Sequence, residues 1–248
     1  MRIIQPMEFE QHASSGVALN WWLPAAVPVA ALLLLIALGA GWTVILIALV
    51  LHGAGTFLVH RLRDTYAAPF GWASRVTLAR SGLVAVLAAA LVQPELYGVH
   101  GWTMAALALL ALGLDGLDGW LARRLGETSA FGARLDMEVD AALIAVLCLS
   151  LAATGKVGAW VLAIGLMRYA FVAAARLWPW LGAPLPTRFR RKLVCVWQVA
   201  ALLICLTPAV APSAATAILA SALALLAVSF MIDIAWLRRC HRQARIQT

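Results

Sequence analysis

Long apolar runs separated by short polar clusters set the fold class of this chain. The runs lie at roughly 22–39, 41–59, 74–93, 101–122, 132–154, 157–177, 193–209 and 213–236. Each is close to the roughly 20 residues that a membrane-spanning helix takes, and none shows the period-two alternation of a barrel strand. Only helices and closed barrels satisfy their backbone groups in lipid. The pattern therefore predicts an all-α, polytopic transmembrane helical bundle of eight spans. The Gly39–Ala40–Gly41 stretch breaks the first two runs into a hairpin over 22–60, preceded by a segment at 1–21. Pro94, Pro179, Pro184, Pro186, Pro208 and Pro212 fall in the connections, where interrupting a helix costs little.

Composition agrees. Hydrophobic residues make up 64% of the 248 and charged residues 12%, against roughly a quarter charged in soluble domains. Mean hydropathy is +0.91. The net charge of +8 does not indicate nucleic acid, because the cations sit in short clusters between apolar runs. Arg61, Arg63 and Arg75, then Arg123 and Arg124, then Arg188, Arg190, Arg191 and Lys192, then the tail at 238–248 with Arg238, Arg239, Arg242 and Arg245, all fall on one side of an eight-span arrangement. The opposite connections carry only Lys156. Positive charge marks the cytoplasmic side, so both termini are expected there. Trp21, Trp22, Trp178 and Trp180 read as interfacial belts. Cys148, Cys195, Cys205 and Cys240 show no metal or disulfide spacing and read as structural. The first 20 residues, with Arg2, Glu8, Glu10 and His12, do not read as a cleavable signal.

Four carboxylates break the apolar pattern. Asp115 and Asp118 are three apart, and Asp136 and Asp140 are four apart, so each pair shares one helical face. Charge inside a membrane helix is expensive and marks function. Two facing carboxylate pairs do not all stay ionised in a low-dielectric site without compensation. Hard divalent cations compensate them, and all-oxygen ligation suits Mg²⁺ or Mn²⁺. Gly119 and Gly132 remove side chains beside these faces, and Arg123 is suited to an anionic phosphate. A proton or cation pathway also places carboxylates inside a bundle, but it gives no reason for the glycine, alanine and arginine between them.

The spacing D-x2-D-G-x2-A-R-x8-G-x3-D-x3-D is filled at every fixed position by Asp115, Asp118, Gly119, Ala122, Arg123, Gly132, Asp136 and Asp140. It resembles the signature of the CDP-alcohol phosphotransferase family. Thr77 and Arg80, in SRVTLAR, resemble that family's first core helix, and Arg168, Lys192 and Gln198 resemble later polar positions. The resemblance covers about residues 70–237, implying a six-helix catalytic core with the hairpin outside it. It further implies that Asp115, Asp118, Asp136 and Asp140 ligate two divalent ions, with Asp140 also the general base. Asp115, Asp118, Gly119, Ala122, Arg123 and Gly132 would line the CDP site. The reaction implied is attack of an acceptor hydroxyl on the donor's β-phosphorus with loss of CMP, in a homodimer surrounded by membrane lipid. The expected location is a bacterial inner membrane, with the site near the cytoplasmic face.

The acceptor is less legible. Arg168, deeper in its span than the anchor-like Arg176, and Lys192 are candidates to meet it, while the rest of the 188–192 cluster reads as lipid-facing charge. Glu138 reads as a structural partner, and His52, His60 and His100 form no ligand set. Met137 and Ala141 stand where phosphatidylglycerophosphate synthases often carry Pro and Lys, which weakens the case for glycerol 3-phosphate. Basic residues near the site favour CDP-diacylglycerol with a phosphorylated acceptor over transfer from a CDP-choline type of donor.

Overall fold

The computed structural model describes residues 23–66, 72–125, 130–186 and 188–246. The segment at 1–21 and the tryptophans at its end, Trp21 and Trp22, lie outside the described residues, as do residues 247–248 of the tail. The elements are α1 (Leu23–Ala37), α2 (Trp42–Tyr66), α3 (Trp72–Ala89), the short α4 (Glu95–Val99), α5 (Gly101–Leu125), α6 (Ala130–Ala153), α7 (Leu162–Leu177), α8 (Phe189–Leu206) and α9 (Pro212–Ile246). Short 3₁₀ turns join some of them, and there is no strand among the described residues.

Five of these helices, α2, α3, α5, α7 and α9, are long and apolar enough to cross a membrane. The chain is thus an all-α integral membrane bundle. The other long helices fall short of that description for separate reasons. With 15 residues, α1 reaches only about 22 Å against a hydrocarbon core of about 30 Å. The first half of α6 carries Arg134, Asp136, Glu138 and Asp140, and the start of α8 carries Arg190, Arg191 and Lys192. In both helices these charges interrupt the apolar run.

The centre of the bundle is α3. Of its apolar window 72% is buried within the protein, against 17% for α2 and α7. It packs against α1, α2, α5 and α6, and Leu83, Leu87 and Ala89 are fully enclosed. Small residues permit this crowding: a β-carbon on Gly82 would lie 2.7 Å from the Pro28 ring of α1. The expected hairpin takes an unexpected form, since α1 and α2 each pack mainly on α3 and only lightly on one another. Gly39 ends α1 with φ +92°, a left-handed turn in which its N–H donates to Ile36 O at 3.0 Å and that of Ala40 to Leu35 O at 2.9 Å. The side chain of Gln93 then ties this turn to the core, accepting from Gly41 N at 3.0 Å and donating to Gly39 O at 3.3 Å.

The end of α5 and the start of α6 lie at one end of the bundle, together with the start of α3, the start of α8 and the end of α9. The opposite end holds α4 and the connections around Lys156 and Pro208. These enclose a cavity of about 370 Å³ lined by Tyr97, Leu151, Lys156 and Leu206 among others.

Candidate active site

Three helices bring the site together. Asp115 and Asp118 come from the last turns of α5, and Asp136 and Asp140 from the first half of α6. Into the space between them α3 sends Arg80, which is 1% exposed. Its Nη1 forms an ion pair with Asp115 Oδ1 and lies 2.8 Å from Asp136 Oδ1 and 3.6 Å from Asp118 Oδ2. Its Nη2 donates to Asp136 O and to Asp140 Oδ1, both at 3.1 Å. One guanidinium thus meets all four carboxylates. A planar fork with five N–H donors suits that arrangement better than an ammonium would.

The cluster has a closed floor and an open mouth. Asp118 is buried, and the hydroxyl of Thr77, one turn before Arg80 on α3, donates to its Oδ2 at 2.9 Å. The Asp140 side chain is 42% exposed, so protons and solutes can reach it. Asp115 and Asp136 lie between these extremes.

The donor set fits a hard divalent cation. Asp115, Asp118 and Asp136 each offer an oxygen, and these oxygens lie within 4.8 Å of one another. Oxygens around an octahedral Mg²⁺ are about 3.0 Å apart when adjacent and about 4.2 Å apart when opposite, so the three oxygens would have to draw together to share an ion. Four carboxylates against one guanidinium also leave the cluster a negative balance that a divalent ion offsets.

The remaining motif residues sit along the same two helices. Gly119 is half-buried on α5, and a β-carbon there would lie 3.3 Å from Nη1 of Arg123. The missing side chain therefore makes room for the arginine one turn on. Arg123 itself is exposed, while Arg124 lies over the Trp120 ring at 4.9 Å. Ala122 falls between them on α5, and Gly132 lies one turn before Asp136 on α6.

The two candidate acceptor residues differ in their surroundings. Arg168 on α7 donates to Met137 O and pairs with Glu138 Oε1 at 3.0 Å, so Glu138 has the structural partner expected of it. Lys192 is exposed near the start of α8. Cys195, three residues on and on the same face, lies within electrostatic range of Asp140 and Asp115.

Two features went unassigned in the sequence. Arg80 and Thr77 stood out only as echoes of a family helix, yet they organise the cluster. Asp233, on α9, is with Asp118 one of the two buried carboxylates among the described residues; it lies 2.7 Å from Arg190 Nη2 and 3.8 Å from Arg191 Nε. The rule that flagged the four aspartates, a charge within an apolar span, applies equally to Arg80 and Asp233.

No solved structure matches the chain. A family model described as CDP-alcohol phosphatidyltransferase matches residues 70–232, well over half of the chain and including every residue of the cluster. Its members transfer a phosphatidyl group from a CDP-alcohol to an alcohol within the membrane, and this chain belongs to the CDP-alcohol phosphatidyltransferase family.

Proposed function

We propose that the protein transfers the phosphatidyl group of CDP-diacylglycerol to the hydroxyl of a phosphorylated alcohol, releasing CMP at the cytoplasmic face of a bacterial inner membrane. The observation that carries this reading is the convergence of all four motif aspartates on one cleft at the basic end of the bundle. A CDP-linked donor and the CMP product are cytoplasmic solutes or headgroups, so the cleft's mouth belongs on that side. Eight spans with both termini inside satisfy the charge distribution.

In this reading Asp115, Asp118 and Asp136, with Asp140 at the rim, hold Mg²⁺ or Mn²⁺, two ions in all. Held there, a divalent ion would supply charge neutralisation for the donor diphosphate and for the departing CMP. Gly119, Ala122, Arg123 and Gly132 face the CDP moiety, with the Arg123 guanidinium directed at phosphate oxygen. The acceptor oxygen forms a bond to the β-phosphorus as the bond from that phosphorus to the CMP oxygen breaks. Asp140 takes the proton from the acceptor hydroxyl; being the most open of the four carboxylates, it can exchange that proton with solvent. Arg80 and Thr77 hold the carboxylates in register. Lys192 meets the acceptor phosphate, and Arg168 contributes the donors that Glu138 and Met137 leave unused. A homodimer is part of the same proposal.

The test is a screen of acceptor alcohols with radiolabelled CDP-diacylglycerol, followed by identification of the lipid formed. Phosphorylated acceptors are expected to yield product. Product only from CDP-choline and a lipid alcohol would reverse the assignment of donor and acceptor.

A further inference from the structure

Asp233 is the sole acidic residue of α9, is 8% exposed and lies within that helix's apolar span. Its ion pairs reach back to α8, where it holds Arg190 Nη2 at 2.7 Å and Arg191 Nε at 3.8 Å. Nη1 of Arg190 is buried with no hydrogen-bond partner among the described residues, so Asp233 carries most of the compensation for that guanidinium. A buried pair of this kind is weak evidence for stability, since a well-packed apolar pair does as well. Its effect on the neighbouring cations is more telling.

The first turn of α8 and the residue before it present four cations, Arg188, Arg190, Arg191 and Lys192. The helix packs against α5 and α6, which bear the aspartates, and also against α9. At about 100° per residue, Arg190 points about 140° away from Cys195 around the helix, and Lys192 about 60° away. Cys195 marks the aspartate side, being exposed and in electrostatic range of Asp140 and Asp115. Arg190 is thus turned toward α9. Arg191 lies only about 40° from Cys195 around the helix, on the aspartate side, and its Nε pair with Asp233 at 3.8 Å is what draws its side chain toward α9. Arg188 and Lys192 remain exposed.

We infer that Asp233 is a positioning residue that sorts this cluster, holding Arg190 and Arg191 on α9 so that Lys192 alone faces the aspartate cleft from this turn. A cluster of four carboxylates with a single internal guanidinium attracts any free arginine nearby. Arginines released from Asp233 would swing toward it, raise the local positive potential and compete with divalent cations for the carboxylates. The inference rests on the proposed acceptor side of the cleft for its purpose, but its electrostatic consequence does not depend on turnover.

Cys195 serves as the reporter. In full-length protein carrying Cys240→Ser, Cys195 is the remaining exposed cysteine, since Cys148 and Cys205 are buried. Its alkylation rates by an anionic sulfonate and a cationic ammonium methanethiosulfonate give the local potential as a ratio. Asp233→Asn should raise the anionic-to-cationic ratio several-fold and weaken Mg²⁺ protection of Cys195 by a similar factor. Asp233→Glu should keep both near the parent values. On an Arg190→Gln, Arg191→Gln background, Asp233→Asn should change neither, because no arginine is left to release. An unchanged ratio in Asp233→Asn, or an equal change on the double-glutamine background, overturns the inference. If Asp233→Asn fails to insert, the comparison passes to the double-glutamine variant with Asp233 intact, whose ratio should match the parent; a fall of several-fold would show that these arginines already face the cleft. Absence of phosphatidyl transfer by the parent protein would instead remove the proposed function while leaving the sorting intact.

Discussion

The Arg80 guanidinium on α3 lies 3.1 Å from the Asp140 carboxylate on α6, although sixty residues separate them in sequence. The same group pairs with Asp115, Asp118 and Asp136, so the protein carries a counter-charge of its own within the cluster. Removing one member of a buried ion-pair set costs about 3–5 kcal/mol. Arg80→Gln should therefore lower the melting temperature in chelator, and Mg²⁺ should stabilise the variant more than it stabilises the parent, because the metal takes over the missing charge. Thermal unfolding with and without Mg²⁺ measures this. Equal stabilisation of the two proteins would mean that Arg80 is not the internal counter-ion.

Asp140 and Asp115 should separate by role. Asp140→Asn removes the proposed base at the open rim and only one of several ligands, so turnover should fall by two orders of magnitude or more with CDP binding partly kept. Asp115→Asn, which loses a member of the tight three-carboxylate set, should weaken turnover, CDP binding and Mg²⁺ affinity together. Near-native turnover in Asp140→Asn would assign the base elsewhere.

Gly119 tests how Arg123, proposed to face the donor phosphate, is accommodated. Its virtual β-carbon meets only the far end of Arg123, a flexible group that can shift. Gly119→Ala should therefore alter CDP affinity only a few-fold. Gly119→Leu should displace the guanidinium and lower CDP affinity at least ten-fold, with membrane insertion unaffected. Isothermal titration with CDP distinguishes the two, and unchanged affinity in the leucine variant would move the CDP pocket away from this face.

The first two helices should matter for stability more than for insertion. Both cover α3, which carries Thr77 and Arg80, and Gln93 latches their turn through two hydrogen bonds. Gln93→Leu should cost about 1–2 kcal/mol, and deletion of residues 1–60 should cost far more while leaving the remaining helices inserted. Thermal unfolding in detergent and protease protection in membranes report the two effects. A deletion as stable as the parent would show that the pair is peripheral to the core.

Much of this was legible in the sequence, and what was not has a physical cause. The aspartates announced themselves because a carboxylate in an apolar helix is costly and their spacing fixes a shared face. Helix positions followed from the apolar runs, including those at 132–154 and 193–209 that correspond to α6 and α8. The central position of α3 was hidden, because a helix buried in protein and one facing lipid have the same apolar composition. Its placement depends on Gly82 admitting Pro28, a contact between distant segments that no local pattern encodes. Asp233 was missed for a related reason: its partners Arg190 and Arg191 lie on another helix and, read alone, look like ordinary inward-side charge.

Release of CMP from CDP-diacylglycerol by the purified protein in lipid nanodiscs, followed as Mg²⁺ or Mn²⁺ is titrated against chelator, bears on the proposed chemistry as a whole. CMP should appear only when a divalent ion and an acceptor alcohol are both present, and Asp118→Asn should suppress it. CMP release that persists in chelator, or divalent-cation flux across proteoliposomes with no dependence on cytidine nucleotide, would contradict a metal-dependent phosphatidyl transfer at the aspartate cluster.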